Sequence, residues 1–296
     1  MPNMPRFNFH RPGTMEEALD LVSRFRASVK VMCGGTDLVP KMRAGVAVAE
    51  NVVSLTRVPG LSTISYRDDD GLVIGGTARI SDVARHPDVR RHYPALAYAC
   101  DKMATVQIRN MGTVAGNLAN AAPSADTAAP LLAYGASLVL VERGGRRQVP
   151  LEDFFTGPGL TVAEPMEIIE AIRVPAPPLR SGSAYLRVSA RSKVDIAAVG
   201  VAAALNLDLE GRVIGVRIAL AAVGPTPLRA RQAEDMLMEQ IPDHDLLARA
   251  GAACVRTAKP IDDVRASANF RRAMVQTLAQ RVLARCGRLA RGEDAQ

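Results

Sequence analysis

The stretch "GTVAGNLANAAPSAD" (Gly112 to Asp126) packs two glycines, a run of alanines and two asparagines into an otherwise apolar neighbourhood. Few folds need so much bare backbone beside side-chain amides. Removing Cβ atoms lets a ligand approach the main chain closely, and backbone N–H groups suit a phosphate because they donate to it without a countercharge. A second stretch, "CGGTDL" (Cys33 to Leu38), lies about 80 residues earlier. There a strand breaks into two glycines that can turn consecutive N–H groups the same way, and Thr36 and Asp37 add a hydroxyl and a carboxylate. Two such nests facing one another could clamp a pyrophosphate from both sides. Gly112 and Gly116 open the second, Thr113 brings a hydroxyl, and Asn117 and Asn120 bring amide donors and acceptors. Asp126 has two readings, acceptor for a ribose hydroxyl or N-cap of the helix that follows it. Taken singly, a glycine pair after a strand is a turn in most proteins. Neither stretch is a G-x-G-x-x-G fingerprint, and no G-x-x-x-x-G-K-[ST] is present, which disfavours Rossmann and P-loop readings.

The chain around these nests has 296 residues, long enough for two domains. The front half alternates short strands and helices. "TMEEALDLVSRF" places Thr14 and Glu17 in capping-box spacing ahead of Leu19, Val22 and Phe25, which predicts an amphipathic helix. "VKVMC", "NVVSL" and "SLVLV" read as strands, "STISYRDDDGLVIGG" as a hairpin turning at Asp70-Gly71, and "DTAAPLLAYG" as a helix stopped by Gly135. The proline-rich "RVPAPPLRSGS" (Arg173 to Ser183) is the linker candidate. Beyond it come three strands, the last two joined as a hairpin at Glu210-Gly211, and then about three helical segments to the end. Strands followed by helices predict an α+β unit with helices on one face of a small antiparallel sheet.

Charge and cysteines narrow the function. The net charge is +7, and of the 37 basic residues five are lysine and 32 arginine, scattered over both halves. With aromatics at 4% and no tryptophan, this is not the basic, aromatic-lined surface of a nucleic-acid binder. Cys33, Cys100, Cys254 and Cys286 are too dispersed for a zinc site, an iron-sulfur cluster or a disulfide framework, so no metal is expected in this chain. No apolar run approaches the roughly 18 residues of a membrane span, and the cytoplasm is the expected compartment. His10, His86, His92 and His244 form no base-nucleophile set.

In order and separation, "CGGTDLVPKMR", "VQIRNMGTVAGNLANAAPSADTAAPLLAYGA" and "RVSARSKVDIAAVGVAAAL" resemble the FAD-binding subunit of the molybdenum hydroxylases. That family includes xanthine dehydrogenase, aerobic carbon monoxide dehydrogenase and 4-hydroxybenzoyl-CoA reductase, and the resemblance runs from Phe7 to about Arg285. It implies an α+β chain: a two-part FAD-binding domain of the vanillyl-alcohol oxidase or PCMH type over residues 1–177, then a C-terminal domain over 178–296 with a three-stranded antiparallel sheet and a helical bundle. It implies FAD in this chain, held by Cys33, Gly34, Gly35, Thr36 and Asp37 in the first loop and by Thr113, Gly116 and Asn117 in the second. Asn120 and Asp126 match positions on the diphosphate and adenosine side, and Ile169 an apolar position beside the cofactor. Arg187 falls where xanthine dehydrogenases place a lysine near the flavin edge; it would tune the potential there or be a solvated strand residue. Two departures stand out: Ala115 replaces a second glycine, and Met103 sits near a position where an aromatic ring meets the adenine. The cysteine-rich insertion of the 4-hydroxybenzoyl-CoA reductases is missing.

The implied function is electron transfer. FAD would take electrons from a small 2Fe-2S iron-sulfur subunit, a large molybdopterin subunit would oxidise the organic substrate, and an external acceptor would drain the flavin. A docking face and a repeated three-chain assembly follow. Two other classes stay open: a stand-alone flavin-dependent reductase, for which Ser189 and Ser192 are the nearest proton donors by position, and a cofactor-free scaffold subunit.

Overall fold

The computed structural model describes residues 4–190 and 195–293. The chain opens with β1 (Asn8–His10), α1 (Met15–Phe25), β2 (Val29–Met32), α2 (Leu38–Arg43) and β3 (Asn51–Ser54). Thr14 caps α1 by accepting from the Glu17 amide at 3.1 Å, while the Glu17 carboxylate reaches back to the Gly13 amide at 2.6 Å. This is the predicted box with its return bond moved one residue upstream. Ala18, Leu19 and Val22 turn inward from α1. β1 and β2 both pair with β3 in parallel, in the order β1-β3-β2. A parallel pair requires a crossover connection, which α1 supplies between β1 and β2.

A second sheet is assembled from distant segments. It comprises β4 (Ile64–Arg67), β5 (Gly71–Gly75), β6 (Ser137–Glu142), β7 (Gly145–Pro150) and β10 (Ile168–Val174), the last preceded by the small pair β8 (Phe155–Gly157) and β9 (Leu160–Thr161). Every neighbour is antiparallel, in the order β4-β5-β10-β6-β7. Between β5 and β6 run six short helices: α3 (Ile80–Arg85), α4 (Pro87–His92), α5 (Pro94–Lys102), α6 (Val106–Met111), α7 (Val114–Ala119) and α8 (Ala128–Ala133). They bury Val83, Leu96, Leu118 and Leu131 against Leu72, Ile74, Leu138 and Ile172 of the sheet. The one-turn α9 (Leu151–Phe154) follows β7.

Residues 175–180 carry neither helix nor strand. After them β11 (Ser181–Ser189), β12 (Ala197–Leu207) and β13 (Val213–Ala221) form the three predicted antiparallel strands, and a two-residue β14 (Leu228–Arg229) extends the sheet to four. α10 (Arg231–Leu237), α11 (His244–Thr257) and α12 (Ala268–Arg291) complete the chain. Side chains alternate across a strand. Val199, Val201, Ala203 and Leu205 of β12 pack with α10, α11 and α12, whereas Ala202, with Tyr185, Ala219 and Ala221 on its neighbours, joins the core that holds α5 and α8. The sheet is buried on both faces, which is why "AAVGVAAAL" is apolar without alternation. The prediction of helices on one face missed this second, shared layer.

Candidate cofactor site

The first glycine stretch connects β2 to α2. Gly35 adopts φ +70°, the left-handed region that glycine enters without strain. At Gly34 an added Cβ would stand 2.0 Å from the Met111 carbonyl oxygen and 2.8 Å from Gly112 Cα. The two glycine stretches therefore touch, backbone against backbone, at a point where no side chain fits. The amides of Gly34, Gly35, Thr36 and Asp37 donate to no group among the described residues. The first helical bond of α2 runs from the Val39 amide to the Gly35 carbonyl at 3.0 Å, so these are open donors at the start of a helix, a set that suits an anion.

The second stretch is built of short capped helices. Thr113 caps α7, its Oγ1 accepting from the Gly116 amide at 2.9 Å, so Gly116 is occupied locally and Ala115 keeps the free amide of that turn. The Ile80 amide donates to the Gly112 carbonyl at 3.0 Å and ties the loop to α3. Thr127 donates to Asn117 Oδ1 at 2.6 Å, which leaves the Asn117 NH2 as the group it can offer. Asn120 Oδ1 accepts from Lys41 Nζ of α2 at 2.5 Å.

These loops enclose a cavity of about 400 Å3, within the usual range for cofactor pockets. Cys33, Gly34, Gly35, Thr36, Asp37, Thr113, Gly116, Asn117, Asn120 and Ile169 all line it, and so do Ala115 and Met103. Ile169 lies at a β-bulge where β10 slips register against β6, and Gly76 packs on it so closely that a Cβ would stand 2.2 Å from the Ile169 carbonyl oxygen. Bulges of this kind re-aim a strand beside a site. Burial pushes the Cys33 thiol up to about 11, against a smaller downward pull from Thr113, so it is a neutral wall at pH 7. The donors cluster on the two loops, and Ile80, Met103, Ile108 and Ile169 supply an apolar surface.

Asp126 and Arg187 are not part of this lining. Asp126 does not cap α8 either: Thr127 holds the N-cap position, and no side chain bonds there. Instead Asp126 Oδ1 accepts from the Tyr185 hydroxyl at 2.7 Å and stands 3.2 Å from Arg187 Nε. The second contact is an ion pair without hydrogen-bond alignment. Arg187 donates further to the carbonyls of Lys102 and Asp195. With side chains 7% and 9% exposed, the pair is neither solvated nor open to the cavity; it pins β11 to the segment between α7 and α8. Burial raises the Asp126 carboxyl above its ordinary value, with Arg187 and then Tyr185 opposing. Burial and the neighbouring Asp126 push the Tyr185 phenol well above its own. Ser189 does not line the cavity, and Ser192 lies outside the described residues.

Among the lining residues that sequence reading missed are Lys30, Lys41, Gly76 and Glu167. Glu167 is held by Arg147 through two bonds of 2.6 and 2.8 Å, and that guanidinium is the main reason its carboxyl lies below the usual range. Lys41 had a signal, being one of five lysines in an arginine-rich chain and lying within "CGGTDLVPKMR".

Residues 5–177 match the model for the FAD binding domain in molybdopterin dehydrogenase, and residues 184–286 that for the CO dehydrogenase flavoprotein C-terminal domain. The chain is 32% identical to the carbon monoxide dehydrogenase medium chain of Hydrogenophaga pseudoflava, covering 95% of this chain and 99% of that one. It is 31% identical to the xanthine dehydrogenase FAD-binding subunit of Escherichia coli O157:H7, covering 97% and 98%. Among solved structures, carbon monoxide dehydrogenase from Hydrogenophaga pseudoflava lacking the Mo-pyranopterin moiety of its cofactor superposes with a TM-score of 0.92 at 33% identity over 96% of this chain and 98% of the other. Quinoline 2-oxidoreductase from Pseudomonas putida 86 gives 0.90 at 26% identity over 97% and 99%. With both parts of the chain matched in order and the relatives covered almost end to end, this chain belongs to the FAD-binding medium subunits of the xanthine dehydrogenase and CO dehydrogenase family.

Proposed function

We propose that this chain holds FAD in the cavity between its two glycine loops and relays electrons within a molybdenum hydroxylase complex, from a small 2Fe-2S subunit to an external acceptor. A large molybdopterin subunit would oxidise the organic substrate. The observation that carries the reading is the set of open donors at the junction of the loops: the amides of Gly34 to Asp37 have no partner among the described residues, and those four residues line one cavity together with Thr113 and Asn117. Such a set fits a diphosphate, and the apolar side at Ile169 and Met103 fits a planar ring. Bound FAD would supply reversible two-electron chemistry, passed on in single steps; the protein binds, orients and excludes water.

In this reading Gly34, Gly35, Thr36 and Asp37 hold one side of the diphosphate. Thr113, Asn117 and Asn120 hold the other, and Gly116, its amide bonded to Thr113, keeps that side clear for close approach. Cys33 and Ile169 bound the ring, and Asp126 and Arg187, outside the lining, act through the contact of Arg187 with the Lys102 carbonyl, next to Met103 of the cavity. The division of the chain at 177/178 belongs to the same reading, as does a repeated three-chain assembly. So does a cytoplasmic setting, which suits four cysteines that are all free thiols. Among the described residues no helix is long and apolar enough to cross a membrane.

The test is co-expression with candidate small and large subunits, followed by reduction with the substrate of the large subunit. Flavin bleaching that requires the iron-sulfur subunit supports the relay. Bleaching by a small substrate with this chain alone would favour a stand-alone reductase.

A further inference from the structure

In a chain whose basic residues are overwhelmingly arginine, the cations lining the cavity among the described residues are both lysines, Lys30 and Lys41. Two carboxylates line it as well, Asp37 and Glu167. Glu167 is already engaged by Arg147, which lies outside the lining. The charge left for a ligand is therefore positive.

Lys41 is the lysine with a fixed place. Its ammonium bonds Asn120 Oδ1 and so joins α2, which follows the first loop, to the end of α7, which follows the second, across 79 positions of sequence. The partner is an amide oxygen. It orients the ammonium through a dipole but cancels none of its charge, and an ammonium has three N–H groups of which this bond uses one. We infer that Lys41 is the countercharge for the phosphate groups of the bound dinucleotide, with Asn120 holding it in place. This rests on the FAD reading above and adds to it a charge-based contact beside the neutral backbone amides. The two kinds of contact differ in a measurable way. The attraction of a lysine is sensitive to ionic strength, whereas amide donors carry no net charge to screen. A compact ammonium also suits a single amide oxygen better than the planar fork of an arginine, which is matched to paired acceptors.

The experiment uses the full chain stripped of flavin and titrated with FAD and with riboflavin, which has no phosphate, across a range of salt concentrations. Flavin fluorescence reports binding to the wild type and to the Lys41→Met, Lys41→Gln and Lys41→Arg variants. The expected result is an FAD affinity about tenfold weaker in Lys41→Met and Lys41→Gln, with a flatter dependence on salt. Riboflavin binding should stay at the wild-type level, and Lys41→Arg should recover most of the loss. Wild-type FAD affinity in both neutral variants overturns the inference, as does a salt dependence that does not change. Equal losses for FAD and riboflavin also overturn it, because they mark a role in holding α2 against α7. If the wild type itself takes up no FAD, the flavin reading falls, an outcome visible before any variant is compared.

Discussion

Gly34 is the residue on which the two loops depend, because a single methyl there meets the Met111 carbonyl oxygen at 2.0 Å. Gly34→Ala must push the loops apart, at a cost of about 1–3 kcal/mol. Visible spectra should show flavin content falling to a small fraction of wild type, while far-UV circular dichroism is retained. Full flavin occupancy in this variant would show that the junction tolerates separation. The Asp126–Arg187 pair behaves differently, since removing one partner leaves the other buried and uncompensated. Asp126→Ala and Arg187→Met should each cost about 3 kcal/mol in urea unfolding, and the double variant less than their sum. The glycine loops were legible in sequence because only an unusual backbone needs that composition. The fate of Asp126 and Arg187 was not. Whether an arginine is solvated or buried depends on what packs over its strand, here the carboxylate of a residue 61 positions away and the last residue of α5.

At the scale of elements, local signals were read well and remote ones poorly. Thr14 caps its helix as its spacing predicts, whereas Thr113, read from the sequence only as a hydroxyl of the second nest, also caps α7. Thr113→Val should therefore weaken α7 by about 1 kcal/mol and reduce flavin retention with it. β1 and β14, of three and two residues, are too short to show alternation, and pairing with β3 and β13 alone defines them. α12 is anchored by a contact no periodicity reveals: Arg271, 3% exposed, donates to the carbonyls of Ala198 and Ala222 and to Asp263 at 2.6 Å. Burial pushes the Asp263 carboxyl up, but the Arg265 and Ala266 amides and Arg271 outweigh it and hold the pKa at about 2, below its ordinary 3.8. A depressed folded-state pKa adds stability that is complete above the unfolded value and disappears as pH falls through the folded one. Wild type should lose this contribution between pH 3.8 and about 2. Asp263→Asn should be less stable at neutral pH and show a flatter acid limb in pH-dependent unfolding. An acid limb parallel to wild type would mean that the carboxylate does not carry the anchor.

For the whole molecule, the shared core matters most. Tyr185, Ala202, Ala219 and Ala221 lie beyond the linker, yet they pack with α5 and α8 before it. Residues 175–180 thus connect two halves that stabilise each other. The full chain should unfold in one cooperative transition, and the segment from Ser181 onward, expressed alone, should expose that apolar face and bind a hydrophobic dye. Two separate transitions would contradict a common core. The linker was legible from its prolines, but the second buried face of the C-terminal sheet was not, because alanine-rich strands look the same whichever layer covers them. The account rests on the cavity between the loops being a flavin site. The most direct test is the visible absorption spectrum of the purified full chain, with any cofactor released by heat and identified by chromatography. The expected result is stoichiometric FAD, lost on replacing Gly34 or Asn117. A colourless chain that takes up no FAD, even with its partner subunits supplied, would contradict the account.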